Sequence, residues 1–388
     1  MLKGYVVSRE EVKALTQDLI RIPSINPPGH VSQCAEFIKE WLEGQGVIAS
    51  IEKFSHVDNV VAKLGVPGGK RVLLNGHFDV VPTGDLKNWD HDPFAAVEDK
   101  GFIYGRGAAD MKSGVCIMML IMKAMKKLEG QLKGEVIFMG IGDEETGSKY
   151  GTLSLLEKYG NNYDAAIVPE PTDFCIESAQ RGLRWIEITS KGKACHAGRP
   201  HIGKNAVEHA AVVINQLKNI EFQAHHDLFE EGLKKPSLSI TMISGGIKEN
   251  VIPEECTFLI DRRMMPGETE DIIIKEIQAA VKKAHEPGFV DTIRIINNGW
   301  NPYVIDQNNP LLHKIIESYK IIAKEIPVIR GKGGCTDASH LVDAGIPTII
   351  FGPGSANSSH TANESVEIER IALTTEIISD AILKYFDD

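Results

Sequence analysis

A histidine and an aspartate lie two residues apart, directly after the apolar residues Leu73 and Leu74. Because side chains of an extended segment alternate between its two faces, His77 and Asp79 point to the same side. An imidazole that binds a metal usually donates its other N–H to a carboxylate, and Asp79 is suited to that role. The same pattern is also typical of a loop histidine beside an aspartate that caps a helix.

Acidic residues follow two further segments. Asp110 comes after a glycine-rich stretch at 105–107 and before a long apolar segment, where it either caps the helix or bridges two cations. Asp143, Glu144 and Glu145 follow a predicted buried strand. Three adjacent carboxylates repel one another unless a positive charge neutralises them, although a solvated acidic loop is the alternative interpretation.

Glu170 and His360 complete the set. Glu170 follows another short apolar strand, and His360 lies in a loop after the predicted strand 348–351. Ligands bind at the carboxyl ends of strands in open α/β sheets. Imidazoles and carboxylates without thiolates suit a pair of Zn²⁺, Co²⁺ or Mn²⁺ ions better than a structural zinc. Such a pair, ~3.5–4 Å apart, activates a water and polarises a carbonyl. A spare carboxylate beside a ligand is then a natural proton carrier, and the adjacent Glu144 and Glu145 offer one of each.

Alternating strands and helices must position these residues. Ser8 and Glu11 form a capping box that opens a helix to about residue 21. The apolar pattern predicts strands at 47–54, 59–64, 71–75, 135–140 and 165–168, and helices at 31–43, 111–128 and 147–159. This rhythm predicts an α/β fold with a mostly parallel sheet flanked by helices.

The pattern changes from about residue 183. Strands are predicted at 183–193, 238–243 and 255–261, and helices at 203–217 and 268–285, which is typical of an α+β unit with one open sheet face. The α/β rhythm then resumes at 292–296, 311–323, 348–351 and 368–386. We therefore expect a catalytic domain in two parts, 1–181 and 291–388, with an inserted α+β domain at 182–290.

Composition excludes several classes of protein. The 388 residues contain 42 basic and 53 acidic side chains, a net charge of −11 that argues against binding nucleic acid or an anionic membrane. No apolar run reaches the ~18–20 residues of a membrane span. Six scattered cysteines without a CxxC pair argue against a disulfide framework. The first residues do not resemble a signal peptide, so we expect a cytoplasmic enzyme.

These five segments, in this order, resemble the family of di-metal amidohydrolases that contains acetylornithine deacetylase, succinyl-diaminopimelate desuccinylase, aminoacylase and the glutamate carboxypeptidases. The resemblance covers nearly the whole chain and implies a zinc-peptidase-like catalytic domain with an inserted lid and dimerisation domain. It implies two divalent ions per chain, with Zn²⁺ favoured over Co²⁺ or Mn²⁺. His77 and Glu170 would bind one ion, Glu145 and His360 the other, and Asp110 would bridge both.

Three catalytic residues follow from the same resemblance. Asp79 would orient His77, and Glu144 would be the general base. The segment 193–198 resembles a lid motif whose histidine, here His196, reaches the active site of a partner subunit and stabilises the oxyanion. The resemblance therefore implies a homodimer formed through the lid domain.

Substrate contacts are implied in both domains. Arg263 or its neighbour Arg262 would hold a substrate carboxylate, and Cys335 stands where many relatives carry a hydroxyl residue. The implied substrate-binding residues are Arg181, Asn250, Arg263, Gly334 and Thr336.

The predicted function is hydrolysis of the amide bond of an N-acyl amino acid, of the deacetylase or desuccinylase type. A dipeptidase or carboxypeptidase of the same family is the alternative, and the substrate would be a small N-acyl amino acid or a dipeptide. A non-catalytic binding protein on the same scaffold would have lost the base or several ligands, whereas Glu144 and the ligand positions all carry competent residues. The acyl group and the amine stay open.

Overall fold

The computed structural model describes residues 6–297 and 299–388, which divide into two compact units. The first unit extends to Ser178 and includes Ile305–Lys332 and Thr336–Asp388, and the second comprises Ala179–Val304 and Gly333–Cys335. The second unit therefore interrupts the first along the chain, with wider boundaries than the predicted 182–290.

Helices occur in both units. Ser8 caps the first helix by accepting the N–H of Glu11 at 3.4 Å. None of the helices within the described ranges has both the length and the apolar character needed to cross a membrane. The helices are α1 (Arg9–Arg21), α2 (Ser32–Gly44), α3 (Ser113–Lys127), α4 (Thr152–Tyr159), α5 (Ala206–Lys218), α6 (Glu270–Ala284), α7 (Pro310–Ile322), α8 (Ala338–Asp343) and α9 (Ile368–Asp387).

The strands form a large sheet, a smaller sheet and two short ladders. In chain order they are β1 (Ala49–Phe54), β2 (Val57–Gly65), β3 (Lys70–His77), β4 (Val97–Asp99), β5 (Phe102–Tyr104), β6 (Gly134–Ile141), β7 (Ala165–Val168), β8 (Ile176–Gln180), β9 (Gly182–Lys191), β10 (Cys195–His196), β11 (Ser237–Gly245), β12 (Val251–Ile252), β13 (Glu255–Met264), β14 (Val290–Ile295), β15 (Tyr303–Val304), β16 (Ile329–Lys332), β17 (Thr348–Ile350) and β18 (Ser365–Glu367).

The large sheet of the first unit has the order β1-β2-β6-β3-β7-β17-β8. Its centre, β6-β3-β7-β17, is parallel, while β1, β2 and β8 pair antiparallel with their neighbours. The predicted α/β fold with a sheet flanked by helices is confirmed, and the parallel pairing lies in the centre of that sheet, with antiparallel strands at its edges. The physical reason at one edge is the two-residue connection between β1 and β2, which is long enough for a hairpin but too short for a crossover.

Two helices begin later than predicted. The helix predicted from residue 111 begins at Ser113, because Asp110 (φ −124°, ψ 99°) and Met111 (φ −129°, ψ 41°) are not helical. The helix predicted from residue 147 begins at Thr152, because Gly147 is left-handed at φ 98° and ends a short turn. In both places a predicted site residue lies in the irregular backbone before the helix: Asp110 before α3 and Glu145 before α4.

The core of the first unit surrounds α3, which is buried over most of its length and packs against β3, β6, α1 and α9. Every residue of β6 is buried, as expected for a strand covered on both faces. Gly114 lets the start of α3 approach the backbone oxygen of Pro169, since a Cβ there would overlap that oxygen. The first turn of α3 is thereby brought close to the loop that carries Glu170.

The second unit packs α5 and α6 against a sheet of order β11-β13-β9-β14. Alternate residues of β13, among them Phe258 and Ile260, are buried under the helices. The segment predicted at 292–296 was expected to belong to the catalytic domain. The structure places it in β14, which pairs with β9 from Val290↔Lys191 to Ile295↔Ile186. Its alternating pattern suits an edge strand with one buried face.

Candidate metal centre

One edge of the parallel centre of the sheet carries the predicted ligands. His77 is the last residue of β3, Glu145 lies in the short turn after β6, and Glu170 follows β7 by two residues. Asp110 comes from the irregular turn Ala108–Lys112 and His360 from the loop between β17 and β18. Because β3, β6 and β7 run parallel, their carboxyl ends meet at this edge.

The two histidines face opposite oxygens of one carboxylate. His77 Nε2 lies 3.1 Å from Asp110 Oδ1, and His360 Nε2 lies 3.4 Å from Asp110 Oδ2. His77 Nε2 is also 3.5 Å from Glu170 Oε1, and His360 Nε2 is 3.2 Å from Glu145 Oε1. The five side chains therefore form two ligand pairs with Asp110 between them, which is the arrangement of a bridging carboxylate.

Asp79 contacts His77 mainly through its backbone. His77 Nδ1 is 2.8 Å from the backbone oxygen of Asp79 and 3.5 Å from its carboxylate Oδ1. The carboxylate instead accepts the backbone N–H of Glu144 at 3.2 Å and that of Glu145 at 3.1 Å. Asp79 thus contacts the imidazole and also positions the acidic turn after β6.

Glu144 lies beside the ligand cluster without pairing closely with either histidine. Its Oε2 is 3.9 Å from His77 Nε2, and the side chain is largely buried. Burial raises the pKa of this carboxyl well above its usual value, and the charge of Glu170 adds to the shift although His77 opposes it. A carboxyl with a raised pKa in this position is suited to accept and return a proton.

The donor set fits divalent cations. Burial raises the pKa of Glu145 and of Glu170, and the nearby charge of Asp110 adds to both shifts. The hydrogen bond to Glu145 raises the pKa of His360 to about 9. Asp110, Glu145 and Glu170 bring three carboxylates close together, and a cation between them would offset that negative charge. His77, Asp110 and Glu145 each present a ligand atom within 4.8 Å of one another, and such nitrogen and oxygen donors suit zinc or a related metal.

Two supporting residues were missed from the sequence. Asn26 Nδ2 donates to Asp79 Oδ2 at 3.0 Å and lies 3.4 Å from Asp143 Oδ1. Asp337 accepts hydrogen bonds from Ser148 at 2.6 Å and from Thr152 at 2.7 Å. These partners are far apart in sequence, so no local spacing signals them. The one available signal was that Asp337 belongs to the glycine-rich segment 333–338.

In the second unit, His196 lies in β10, and Asn250 directly precedes the paired strand β12. His196 pairs with Val251 in the β10-β12 ladder, and the backbone oxygen of Asn250 accepts the N–H of Ala197 at 2.9 Å. The exposed imidazole accepts the N–H of Gly198 at Nδ1, 3.0 Å away. This contact makes Nδ1 the acceptor, so the proton of a neutral ring is on Nε2.

The arginines of the second unit have different surroundings. Arg262 is fully buried, forms ion pairs with Glu268 at 2.6 Å and Glu276 at 3.0 Å, and therefore acts within the core. Arg263 is partly exposed and pairs with Asp261 at 2.8 Å. Of the two neighbours proposed for a substrate carboxylate, only Arg263 has a guanidinium that solvent reaches.

Arg181 and Arg263 lie on either side of Cys335. The Cys335 thiol is 3.4 Å from the backbone oxygen of Arg181, and Arg263 Nη1 is 3.8 Å from its sulfur. Arg181 itself donates to Ser237 Oγ at 2.9 Å. Burial, together with the charge of Arg263, lowers the pKa of the Arg181 guanidinium. The second unit therefore places these two cationic side chains close together.

The predicted residues of the glycine-rich loop fall in different units. Gly334 is exposed and belongs to the second unit, whereas Thr336 belongs to the first. Thr336 is buried, and its hydroxyl accepts the N–H of Ala338 at 3.2 Å at the start of α8. Its hydroxyl thus contributes to a local turn.

Comparisons with known proteins find relatives that align with nearly the whole chain. The chain is 30% identical over 412 aligned positions to N-formyl-4-amino-5-aminomethyl-2-methylpyrimidine deformylase of Bacillus subtilis, covering 97% of this chain and 95% of that one. It is 29% identical to succinyl-diaminopimelate desuccinylase of Magnetococcus marinus, covering 94% and 95%. The crystal structure of the M20 family metallo-carboxypeptidase Sso-CP2 from Sulfolobus solfataricus matches with a TM-score of 0.81 at 20% identity, covering 98% and 100%.

The family model describing peptidase family M20/M25/M40 matches residues 73–384, a span that contains every predicted metal ligand. The match also includes the whole of the second unit up to Cys335. The resemblance inferred from the five sequence motifs is thereby confirmed, and this chain belongs to the peptidase family M20/M25/M40.

Proposed function

We propose that this protein hydrolyses the amide bond of a small N-acyl amino acid, with two divalent ions per chain and Glu144 as general base. The observation that carries the proposal is the position of Asp110 between His77 and His360, with one carboxylate oxygen facing each imidazole. That placement suits two ions sharing one carboxylate, and the largely buried Glu144 lies directly beside it.

In the proposed mechanism, the metal ions would activate both the substrate and the water that attacks it, because two bound divalent ions polarise the scissile carbonyl and lower the pKa of water. His77, Glu170, Glu145 and His360 would hold them, with Asp110 shared. Zinc is the proposed metal, and cobalt and manganese suit the same donors.

Glu144 performs the proton transfers in this proposal. Its carboxylate takes a proton from the attacking water as the water oxygen bonds to the carbonyl carbon. The same group then returns that proton to the amine nitrogen as the C–N bond breaks. Its raised pKa favours holding the proton between the two steps. Asp79 keeps the residue in place through the backbone N–H of Glu144.

His196 is proposed to stabilise the oxyanion from a partner subunit. Its exposed ring has Nδ1 bonded to the N–H of Gly198, so Nε2–H is available as a donor. A dimer through the second unit is supported by β11, an edge strand on which Met242 and Ile243 are 66% and 57% exposed. An apolar edge strand of this kind is suited to pairing with a second copy.

The substrate is proposed to be an N-acyl amino acid whose carboxylate contacts Arg263, with Arg181, Asn250, Gly334 and Thr336 lining the site. Deacylation is favoured over dipeptide or carboxypeptidase activity because the curated relatives at 29–30% identity are a deformylase and a desuccinylase. The six cysteines are all free thiols, which supports a reducing cytoplasm as the setting.

A substrate screen tests the proposed function. The protein would be stripped of metal, reloaded with Zn²⁺ or Co²⁺, and assayed against N-formyl, N-acetyl and N-succinyl amino acids, N-formylaminomethyl pyrimidines and dipeptides. Turnover of an N-acyl compound well above that of every dipeptide supports deacylation. Preferential cleavage of dipeptides would establish the peptidase alternative, and activity without any transition metal would overturn the mechanism.

A further inference from the structure

Glu364 is a fully buried carboxylate that lies four residues after His360. Its Oε1 accepts the backbone N–H of Ala109 at 2.8 Å and that of Asp110 at 2.9 Å. Its Oε2 accepts the N–H of Gly107 at 3.1 Å and an N–H of Arg106 at 2.6 Å. The whole hydrogen-bonding capacity of this side chain is therefore directed at the turn that carries Asp110.

Ala109 and Asp110 direct successive backbone N–H groups at one anion, which is the arrangement called a nest, and the Gly107 N–H joins them. Charge-assisted hydrogen bonds of this kind are about twice as strong as neutral ones. The carboxylate matters here because Asp110 and Met111 lack helical backbone angles. One wide hydrogen bond spans the turn, from the N–H of Lys112 to the backbone oxygen of Gly107 at 2.9 Å. That bond leaves the N–H groups of Ala109 and Asp110 to Glu364. Gly107, at φ 86°, supplies the left-handed residue that the nest requires. The Glu364 carboxylate thus fixes the backbone at Asp110 and, with it, the direction of the Asp110 side chain.

The same carboxylate also holds the segment that carries His360. Arg106 pairs with Glu364 and donates from the same nitrogen to the backbone oxygen of Thr361 at 3.1 Å. The segment 360–364 is therefore tied to the turn 106–110 at both of its ends. His360 itself is half exposed and has φ 63°, so its position depends on these flanking contacts.

We propose that Glu364 is a positioning residue that sets the spacing between Asp110 and His360. The inference rests on the proposed two-metal function, in which Asp110 is shared by both ion sites whereas His360 belongs only to the site with Glu145. The other site has an independent support: His77 ends β3, where it pairs in register with Ile141. Loss of Glu364 should therefore weaken one site far more than the other.

The test is a metal titration of Glu364→Gln. Metal-free wild-type and variant proteins would be titrated with Zn²⁺ by calorimetry and by competition with a chromophoric chelator, which resolve two dissociation constants. The amide keeps one acceptor oxygen but turns an NH2 group toward the donors that faced the other oxygen. We therefore expect the dissociation constant of the site with His360 to rise by about 10- to 100-fold, the usual effect of losing a residue that orients a ligand. The other constant should rise by a much smaller factor, because that site shares Asp110 but also has the independent support of His77 at the end of β3.

Glu367→Gln is the matched control, because Glu367 lies three residues further on the same segment and pairs with Arg370 in partial solvent exposure. It should leave both constants unchanged. Arg106→Lys is the second variant, for use if Glu364→Gln does not fold. It keeps a cation beside Glu364 but cannot reproduce the arginine contacts with both Glu364 and Thr361, so the same constant should rise by a smaller factor.

Two results would overturn the inference. Unchanged constants in folded Glu364→Gln would show that the nest does not position the ligands, and an equal rise of both constants would show a general structural role. A wild-type protein that binds no Zn²⁺ would instead overturn the proposed function. Amide hydrogen exchange separates the two failures, because the inference also requires faster exchange at 107–110 in Glu364→Gln, with or without metal.

Discussion

The carboxylate of Asp79 accepts the backbone N–H of Glu144 at 3.2 Å. The residue two positions after the proposed ligand His77 thereby sets the place of the proposed general base, which follows the neighbouring strand β6. Glu144 and Glu145 are adjacent, yet their side chains diverge. Glu145 pairs with His360 at 3.2 Å, whereas Glu144 lies on the side of His77. The two residues should therefore respond differently to the same substitution.

Glu144→Gln should remove catalysis and keep the metals. The amide preserves size but cannot accept the proton from water, so kcat should fall by about 10²- to 10⁴-fold. Glu145→Gln should instead weaken metal binding, because Glu145 is a proposed ligand. Metal analysis paired with steady-state kinetics measures both effects. Normal turnover by Glu144→Gln, or loss of metal from it but not from Glu145→Gln, would show that the roles are wrongly assigned.

Metal content should be two divalent ions per chain, and exhaustive dialysis against a chelator should abolish activity. His77→Ala and His360→Ala should each lose most activity, because each empties a ligand position. The control is His313→Ala, because His313 lies in α7 and does not belong to the proposed ligand cluster. Elemental analysis after reconstitution is the measurement, and a fully active protein without bound metal is the contrary result.

Complementation between inactive variants should reveal whether His196 acts in the partner's site. Glu144→Ala and His196→Ala should each be inactive alone. After subunit exchange, mixed protein should recover about one quarter of the activity, since half the dimers are hybrids and each hybrid has one complete site. Mass spectrometry of differently labelled subunits verifies the exchange. No recovery despite verified hybrids would contradict a role in the partner's site.

Substitution of Arg262 should lower the stability of the protein, whereas substitution of its neighbour Arg263 should weaken substrate binding. Arg262→Met leaves the buried carboxylate of Glu268 without its cation, and removing one partner of such a pair costs roughly 3–5 kcal/mol of unfolding free energy. Arg263→Met should change stability much less and should raise KM for substrates that carry a carboxylate. Chemical denaturation and substrate kinetics give the two readouts. A raised KM confined to folded Arg262→Met would reverse the assignment.

Much of the site could be predicted because its residues follow apolar strands directly. His77, Glu145 and Glu170 lie at the ends of β3, β6 and β7, so the position of each strand also placed the residue that follows it. The family resemblance was confirmed by a model match over residues 73–384. The individual roles of the ligands and of Glu144 stay predictions.

What the sequence could not show depends on contacts between distant segments. The pairing of β2 with β6 and the position of β14 beside β9 are tertiary choices that alternation of residue types does not encode. Arg262 and Arg263 have the same side chain, and only burial separates them. Asn26 lies more than fifty residues from its partner Asp79, so no spacing rule connects them.

Because the second unit interrupts the first along the chain, the residues of the proposed metal centre are synthesised in two separate stages. Synthesis proceeds from the amino terminus, so His77, Asp110, Glu145 and Glu170 leave the ribosome before any residue of the second unit, and His360 and Glu364 leave it only afterwards. A nascent chain therefore carries three carboxylates and one imidazole of the proposed site while the whole insert is still being made. During that interval the backbone N–H groups of Gly107, Ala109 and Asp110 lack the Glu364 carboxylate that accepts them in the finished protein. The last part of translation thus completes both the nest and the second proposed ion site, and a chain that stops early cannot assemble either.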